Sequence, residues 1–228
     1  RMLRALELFG DNESITYQDF YHYKYDLYYS KDSDMAAVLN MLFSAALPDE
    51  PEINKALEIL QNWDLSTAPD SRGAALAVMT VLPVAEDGIE GLSVDDIVDS
   101  LREAIETLNT YHGRLDPLWE EVNRLRRGDL ELGLGGGPDI LHAVYGQLEE
   151  GRYYGVAGDS YVMLVAWDRD GQVRSESIHQ YGSATMDASS PHYADQAPLF
   201  SRRKLKPVWM TEETIRANLA EEYRPGER

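Results

Sequence analysis

The segment 179–200, HQYGSATMDASSPHYADQAPLF, concentrates side chains that could carry out hydrolytic chemistry. It contains the three groups of a serine-hydrolase triad, namely a hydroxyl nucleophile, an imidazole base and a carboxylate that orients the base. The candidates are Ser183, Ser189, Ser190, His192 and Asp195. A triad requires these groups to meet in space, and a Ser-Ser-Pro turn before a short helix explains the same pattern, with Ser190 as the cap and Pro191 at the first helical position. We therefore expect a structural turn and no independent triad in this segment.

Two further motifs resemble reactive loops only superficially. The stretch GDSYV at 158–162 lacks the second glycine of a GxSxG nucleophile elbow, so Ser160 is expected to begin a strand. The stretch GLGGGP at 133–138 has the glycines of a phosphate loop, but it ends in Pro138 and has no lysine nearby. We expect this second stretch to form a turn, and neither motif predicts a catalytic residue.

The side chains that could bind a metal are spread along the chain. The five histidines show no HExxH or other paired spacing. His22 and Asp26 lie four residues apart and are expected to form a surface pair on one helix face. Asp168 and Asp170 precede Gly171 as in a calcium loop, but the later ligands are missing and a hairpin turn is the better interpretation. The sequence therefore predicts no metal site.

The composition limits the classes of partner. The chain has 228 residues, of which 43% are hydrophobic and 27% are charged, so a packed core is expected in one large domain or two small ones. A formal net charge of −19 argues against binding to nucleic acid or to an anionic membrane. The chain has no cysteine, which excludes disulfides, thiolate catalysis and Cys-ligated zinc.

The first half of the chain has the apolar periodicity of helices. Ser33 is a candidate cap, and the pairs Thr16 with Asp19 and Ser93 with Asp96 have the spacing of a capping box. Gly113 is expected to end the last helix of this half. Helices are predicted over about 16–29, 34–46, 53–63, 74–84 and 94–112.

The second half is richer in glycine, proline and aromatic residues, and its clearest elements are strands. The segment 161–168, YVMLVAWD, is short and apolar, and the segment 172–180 is expected to return as its hairpin partner. A weaker strand is expected at 153–156, and Thr211 is expected to cap a terminal helix that reaches about Tyr223. Because 161–168 is apolar on both alternating faces, both faces should be covered. One hairpin alone is marginal in water, so either helices cover it or it completes a sheet whose other strands lie elsewhere.

Several segments resemble the penicillin-amidase-type acylases, a family of N-terminal-nucleophile hydrolases. The likeness covers nearly the whole chain, is most specific in the last segment, and is closest to acylases of the aculeacin and N-acyl-homoserine lactone groups. The matching segments are WD at 63–64, APDS at 68–71, GAAL at 73–76, HGRLDP at 112–117, WEEVNRLRRGD at 119–129, GDS at 158–160 and 182–200.

The resemblance implies an α+β fold in which the C-terminal strands belong to a four-layer αββα hydrolase core that this chain does not complete. In that interpretation, residues 1–112 are a mainly helical excursion, and residues 113–228 contribute strands and a terminal helix to the core. The resemblance also implies a precursor that is cut into α- and β-subunits and an enzyme that is periplasmic or secreted. It further implies a mechanism in which the N-terminal Ser of the β-subunit attacks the amide carbonyl with its own α-amino group as base, without a cofactor.

The chain begins at Arg1 rather than Ser, so we expect the C-terminal part of a β-subunit, inert alone and without catalytic residues of its own. Ser183 is the one candidate for a position facing the substrate cleft. The expected partners are the remaining N-terminal part of the same β-subunit, the α-subunit and a small-molecule amide, with no nucleic acid and no membrane.

An alternative function is a noncatalytic interaction or scaffold domain that is derived from an acylase tail. It would offer a tyrosine-rich helix to a partner, although core or subunit packing is the simpler interpretation of these tyrosines. They are Tyr17, Tyr21, Tyr25, Tyr28 and Tyr29.

Overall fold

The computed structural model describes residues 1–85, 88–224 and 226, and the fold is α+β, with longer helices first and strands afterwards. The helices of the first half are α1 (Met2–Phe9), α2 (Tyr17–Lys24), α3 (Asp34–Ser44), α4 (Pro51–Gln61), α5 (Ala74–Ala85) and α6 (Val94–His112). Capping boxes at the starts of α2 and α6 and a Ser33 cap on α3 confirm the predicted starts. Gly113 ends α6 with φ 66°, as predicted.

Helix α2 is shorter than predicted, because backbone groups after Lys24 form hydrogen bonds with a distant segment instead of helical hydrogen bonds. It ends at Lys24 rather than near Tyr29, whose N–H donates to Leu65 O at 3.0 Å. The expected surface pair is therefore wrong: His22 contacts Gln18, whereas Asp26 lies past the helix and binds Arg4.

Helices α3, α4 and α6 pack around α5. Every residue from Ala74 to Val81 is buried, and α6 lays its apolar stripe, which includes Leu101 and Leu108, against the same core. Ser100 Oγ donates to Thr80 O at 2.7 Å, so the polar groups in this contact are satisfied. Each fully buried leucine contributes roughly 2 kcal/mol of apolar transfer free energy. The packing of α6 against α5 therefore contributes strongly to the stability of the helical half.

The second half contains the strands and three short helices. The strands are β1 (Asn123–Arg127), β2 (Leu130–Gly133), β3 (Val144–Glu149), β4 (Arg152–Gly158), β5 (Tyr161–Trp167), β6 (Val173–His179) and β7 (Lys206–Pro207). One sheet has the strand order β2-β1-β4-β3, in which β1 and β4 are parallel. The second sheet is antiparallel and has the order β5-β6-β7. The short helices are α7 (Trp119–Val122), α8 (Ala197–Ser201) and α9 (Glu212–Ala217).

The structure corrects several expectations for this half. The hairpin of β5 and β6 is confirmed, but it is accompanied by a four-stranded sheet of which only β4 was predicted. The short helix predicted at Pro191 is wrong, because the chain forms turns there and the next helix, α8, begins at Ala197. Helix α9 begins after its predicted cap, Thr211, but ends at Ala217 rather than near Tyr223.

Only one face of β5 is covered by the described residues. Val162 packs in a second core with Ile178 and Phe200, and Leu164 is also buried. On the other face, the exposed fractions are 49% for Tyr161, 45% for Met163 and 68% for Trp167, whereas Val165 is half-buried. The prediction that both faces are covered is therefore not met within the part of the chain that the structure describes.

The two cores do not coincide with the predicted division into residues 1–112 and 113–228. The first core also contains Leu115, Trp119 and Tyr153, and the second contains Tyr25. The division therefore stays a prediction.

Of the helices in the described ranges, none has the length and apolar character needed to cross a bilayer.

Candidate functional site

The loop at 180–196 follows β6 and carries the side chains that the sequence marks as chemically active. Its two ends are held together, because Gln196 N–H donates to Tyr181 O at 2.8 Å and Gln196 Oε1 accepts the N–H of His179 at 3.0 Å. Within the loop, Ala184 N–H donates to His192 O at 3.1 Å. The segment is therefore a closed loop with its own hydrogen bonds.

Gly182 is required by a close approach within this loop. A Cβ atom at this position would lie 2.1 Å from His192 O and 2.6 Å from Asp195 Oδ1, well inside van der Waals contact. The absence of a side chain lets the beginning and the end of the loop pack against each other.

The loop brings His192 and Asp195 together but adds no nucleophile. His192 Nδ1 lies 2.8 Å from Asp195 Oδ2, which is the base–carboxylate contact of a triad. The serine hydroxyls bond elsewhere, since Ser190 Oγ accepts the N–H of His192 and Ser189 Oγ donates to Asp187. No serine hydroxyl in the described ranges bonds to the His192 ring. The segment forms turns, as expected, and the absence of an independent triad stays a prediction.

Ser183 lies on the outer side of the loop. Its side chain is exposed and forms no hydrogen bond with another described residue. The hydroxyl is therefore accessible, while the neighbouring backbone is fixed by Gly182 and by the bond from Ala184 to His192. Its contact with a substrate stays a prediction.

Arg127 at the end of β1 fastens the loop to the four-stranded sheet. Its guanidinium stacks 3.9 Å from the ring centroid of Tyr193 and 4.7 Å from that of Tyr181, and it donates to the carbonyl of Thr185. A planar guanidinium can stack and donate at the same time, which a lysine ammonium cannot reproduce. The sequence analysis did not assign this role to Arg127.

A second His–Asp pair lies at the junction of the two halves. His142 Nδ1 lies 2.9 Å from Asp159 Oδ2, and the Lys24 ammonium lies 2.5 Å from the same oxygen. Lys24 also donates to Leu141 O at 2.7 Å, so the end of α2 is tied to the segment before β3 and to the turn between β4 and β5. We call Lys24, His142 and Asp159 the junction cluster. The sequence analysis missed it, since the three residues have no local spacing that joins them.

Burial and pairing set the charges of the junction cluster. Burial opposes the charge of Asp159, but the hydrogen bonds from His142 and Lys24 outweigh it and lower the pKa of this carboxyl group. Burial also lowers the pKa of His142, and the favourable contact with Asp159 does not reverse that effect. At neutral pH the cluster therefore contains an ammonium, a carboxylate and a neutral imidazole whose Nδ1–H donates to the carboxylate. This arrangement is suited to holding elements together.

The described residues contain no group of three or more His, Cys, Asp or Glu side chains placed to hold a metal ion. Two grooves of the structure lie away from the loop at 180–196. One is lined by residues of α4 and the segment after it, and another lies between the α1–α2 region and the β5–β6 hairpin.

Comparison with known proteins links these features to a family. Residues 1–217 match the model of the family described as penicillin amidase. The chain is also similar to the solved structure of a thermostable penicillin G acylase from Alcaligenes faecalis, with 14% sequence identity and a TM-score of 0.47. That similarity covers 98% of this chain and 51% of that chain, so this chain spans about half the length of the matched structure. The family match includes both the loop at 180–196 and the junction cluster.

Proposed function

This chain belongs to the penicillin amidase family, and we propose from this premise that it is the C-terminal portion of the β-subunit of an acylase. The acylase hydrolyses a linear amide, namely an N-acyl-homoserine lactone, a β-lactam side chain or the acyl group of a lipopeptide. In this proposal residues 1–112 form a helical excursion, and residues 113–228 contribute strands and a terminal helix to a four-layer αββα core.

The proposed mechanism places the nucleophile on another segment of the enzyme. The N-terminal Ser of the β-subunit attacks the amide carbonyl, and its α-amino group takes the hydroxyl proton. Backbone N–H groups and an Asn side chain stabilise the oxyanion, the amine then leaves, and water hydrolyses the acyl-enzyme ester. No step in this proposal uses a metal or an organic cofactor.

The hydrogen bonds of the loop at 180–196 support the proposal that this chain does not supply the nucleophile. The imidazole and the carboxylate of His192 and Asp195 are in contact, but every neighbouring serine hydroxyl in the described loop is bonded elsewhere or stands free of the ring. An activated serine needs a base within hydrogen-bond reach, and this loop does not provide that pair. We therefore propose that the isolated chain is inert and that Ser183 borders the substrate cleft of the assembled enzyme.

The uncovered surface of α1 supports the proposed partners, which are the rest of the same β-subunit and the α-subunit. Met2 and Leu6 are 73% and 60% exposed, and none of the residues of α1 is buried. An amphipathic helix that shows its apolar side to solvent is typical of an element that packs against another part of a larger assembly. We propose a periplasmic or secreted location, which rests on the family alone.

The alternative of a noncatalytic interaction domain predicts that the tyrosine-rich segment is available to a partner. Of the five tyrosines named above, the structure places Tyr17 and Tyr21 on α2 and buries Tyr25 and Tyr29 in the two cores. This arrangement favours packing over recognition, so the acylase proposal is preferred.

Mass spectrometry of the protein purified from its natural source tests the proposal. We expect this sequence inside a longer β-subunit whose first residue is Ser, together with a co-purifying α-subunit. A panel of N-acyl-homoserine lactones, acyl β-lactams and lipopeptides then identifies the substrate class from the released amine. The proposal would be refuted if the protein from its natural source consisted of these 228 residues alone and hydrolysed none of the three substrate classes.

A further inference from the structure

Arg203 occupies a backbone position that favours glycine. It follows the C-terminal cap of α8, where its own N–H donates to Phe200 O at 2.9 Å and Lys204 N–H donates to Leu199 O at 2.9 Å. This pair of bonds is a Schellman motif, in which the residue with positive φ is most often glycine. Arg203 has φ 55°, so its side chain is present at a cost in backbone strain. Strain of this kind is typical of binding sites.

The guanidinium of Arg203 lies against the glycine-rich turn at 133–138. A Cβ atom on Gly135 would be 2.9 Å from Arg203 Nη1, so the absence of a side chain at this glycine makes room for the guanidinium. The turn itself is fixed, because Gly136 N–H donates to Thr67 O at 3.0 Å. The stretch whose glycines superficially resemble a phosphate loop therefore forms a wall beside a cation.

The described part of the chain provides no acceptor for this cation. Tyr21 donates its hydroxyl to the backbone carbonyl of Arg203, and the half-buried guanidinium forms neither an ion pair nor a hydrogen bond with a described residue. Burial lowers the pKa of Arg203, and the groups that oppose this effect are the hydroxyls of Tyr21 and Tyr25 rather than a carboxylate. A partly desolvated cation without an acceptor is unfavourable, so an anion beside it would be stabilising.

The hydroxyl of Tyr25 is a second donor without a partner. Its oxygen is buried and forms no hydrogen bond with any described residue, and Tyr25 is 7% exposed. Tyr25 packs in the second core with Leu134, which precedes Gly135. Burial raises the pKa of Tyr25, and Arg203 is close enough to oppose that rise. Because buried hydroxyls are nearly always hydrogen-bonded, one acceptor beside both side chains would satisfy two donors.

The charges around this place include one more cation than anions. Burial lowers the pKa of His142, the contact with Asp159 opposes this effect, and two cations add to it. The cations are Lys24 and Arg203, and the ammonium of Lys24 is already paired with Asp159 at 2.5 Å. A water molecule would satisfy the hydroxyl of Tyr25 but would leave the charge of Arg203 uncompensated, whereas an anion would do both.

We propose that Arg203 and Tyr25 bind a small free carboxylic acid, as its carboxylate, beside Gly135. A guanidinium binds both oxygens of a carboxylate, and one cation neutralises its single charge. A phosphate dianion would add a further negative charge to a chain whose net charge is already −19. The walls of the site come from α8, the glycine-rich turn and the segment after α2, all within this chain, so the inference does not depend on the proposed function.

Titration with sodium acetate tests the inference in the 228-residue chain, with the NMR signal of the Arg203 Nε–H as the readout. At neutral pH and constant ionic strength the signal should shift and then saturate, because a single site fills. Sodium chloride provides the control and should give no saturable shift. A linear response of the same size with both salts would show charge screening alone and would overturn the inference.

Arg203→Gly separates binding from folding, because glycine relieves the strain at this position and the fold should be retained. The acetate-dependent rise in the thermal unfolding midpoint measures the affinity. We expect the affinity to fall at least about tenfold in Arg203→Gly and to fall less in Arg203→Lys, which keeps the charge without the fork. Arg202→Gln removes the exposed neighbouring cation and should leave the affinity unchanged. Undiminished affinity in Arg203→Gly would contradict the site.

Tyr25→Phe removes the buried hydroxyl without changing a charge. Without a ligand this change removes an unpaired donor, so stability in chloride should be equal or higher. The affinity for acetate should fall at least about threefold, because the carboxylate loses one of its donors. An unchanged affinity would show that Tyr25 does not contact the ligand as proposed.

The complete acylase distinguishes a free acid from a carboxylate that another segment supplies. Acetate should raise the unfolding midpoint of the complete enzyme relative to chloride, and this rise should be lost in its Arg203→Gly variant. An acetate response confined to the 228-residue chain would mean that an Asp or Glu of another segment fills the site, which would overturn the proposal of a free ligand. Either result leaves the proposed function intact.

Discussion

Two His–Asp pairs with nearly the same geometry lie in opposite environments of this molecule. The Nδ1 atom of His142 is 2.9 Å from Asp159, and that of His192 is 2.8 Å from Asp195. The side chain of His142 is 1% exposed, whereas that of His192 is 63% exposed. The pair of His142 and Asp159 also contacts Lys24 and joins the two halves of the chain. The pair of His192 and Asp195 lies within the surface loop at 180–196.

The difference shows that residue type and spacing do not assign a role to such a pair. The exposed pair has the spacing that suggests catalysis, but water screens its charges and no nucleophile accompanies it. The buried pair has no sequence pattern, yet removing one of its members would leave a buried polar group without a partner. We therefore expect the junction cluster to determine stability and the exposed pair to affect mainly the local order of its loop.

The largest expected effect comes from removing the shared carboxylate of the junction cluster. Asp159→Ala leaves the Lys24 ammonium and the His142 N–H without this acceptor in a mostly buried place, so it should lower the free energy of unfolding by about 3 kcal/mol. Asp195→Ala removes the equivalent group from the exposed pair and should cost no more than about 0.5 kcal/mol. Urea unfolding of the two variants measures the contrast, and equal losses would refute it.

The next largest effect concerns the close approach inside the loop at 180–196. Gly182→Ala places a Cβ atom 2.1 Å from His192 O, so either the loop shifts or the protein loses about 2 kcal/mol of stability. Gly171→Ala is a control for general effects of glycine replacement, since a Cβ atom there meets nothing within 4 Å, although its φ of 79° adds local strain. Proteolysis of the loop combined with thermal unfolding would detect either response, and a Gly182→Ala protein with unchanged values for both would contradict the close packing.

The pH dependence of stability should report the buried state of His142. The folded pKa of His142 lies below its ordinary value of 6.5, so below about pH 6.5 the unfolded chain takes up a proton that the folded chain does not. The contribution of His142 is therefore present above pH 6.5 and is lost as the pH falls, by up to about 1.4 kcal/mol per pH unit. His142→Gln should flatten the stability profile below pH 6.5, because the substituted side chain does not titrate. Urea unfolding at a series of pH values measures this, and an unchanged profile would contradict the buried, neutral imidazole.

The smallest expected effect is at the arginine that fastens the exposed loop. Arg127→Lys keeps the charge but loses the stacking on Tyr193 and Tyr181, which should cost about 1 kcal/mol and increase hydrogen exchange of the loop at 184–193. Arg126→Lys is the matched control, because Arg126 stacks on Tyr154 outside the loop and should leave loop exchange unchanged. Identical loop exchange in both variants would exclude Arg127 as its anchor.

The sequence predicted what depends on local chemistry. The capping boxes of α2 and α6, the end of α6 at Gly113 and the β5–β6 hairpin are each specified within a few neighbouring residues, and all are confirmed. The strands β1 to β3 were missed, because they contain charged residues or glycines and gain their partners only in the fold. Arg124 and Arg126, for example, pair with Glu131 and Glu149 on neighbouring strands.

The candidate site shows the same limit. The turn at 187–192 could be predicted from its serines and proline, and the Ser190 hydroxyl accepts the N–H of His192 as a helix cap would. The helix expected at Pro191 nevertheless does not form, since the chain continues in turns up to α8. The junction cluster could not be predicted, since Lys24 lies 135 residues from Asp159 and no short motif contains both. Contacts at such distances follow from the packing of whole elements.

The central claim is that this chain supports an acylase whose nucleophile lies on another segment, and amide hydrolysis tests it most directly. The isolated 228-residue chain and the complete acylase are compared at equal molar concentration on N-acyl-homoserine lactones, acyl β-lactams and lipopeptides, with release of the free amine as the readout. We predict turnover of at least one substrate class by the complete enzyme and none above background by the isolated chain. Robust turnover by the isolated chain would contradict the account.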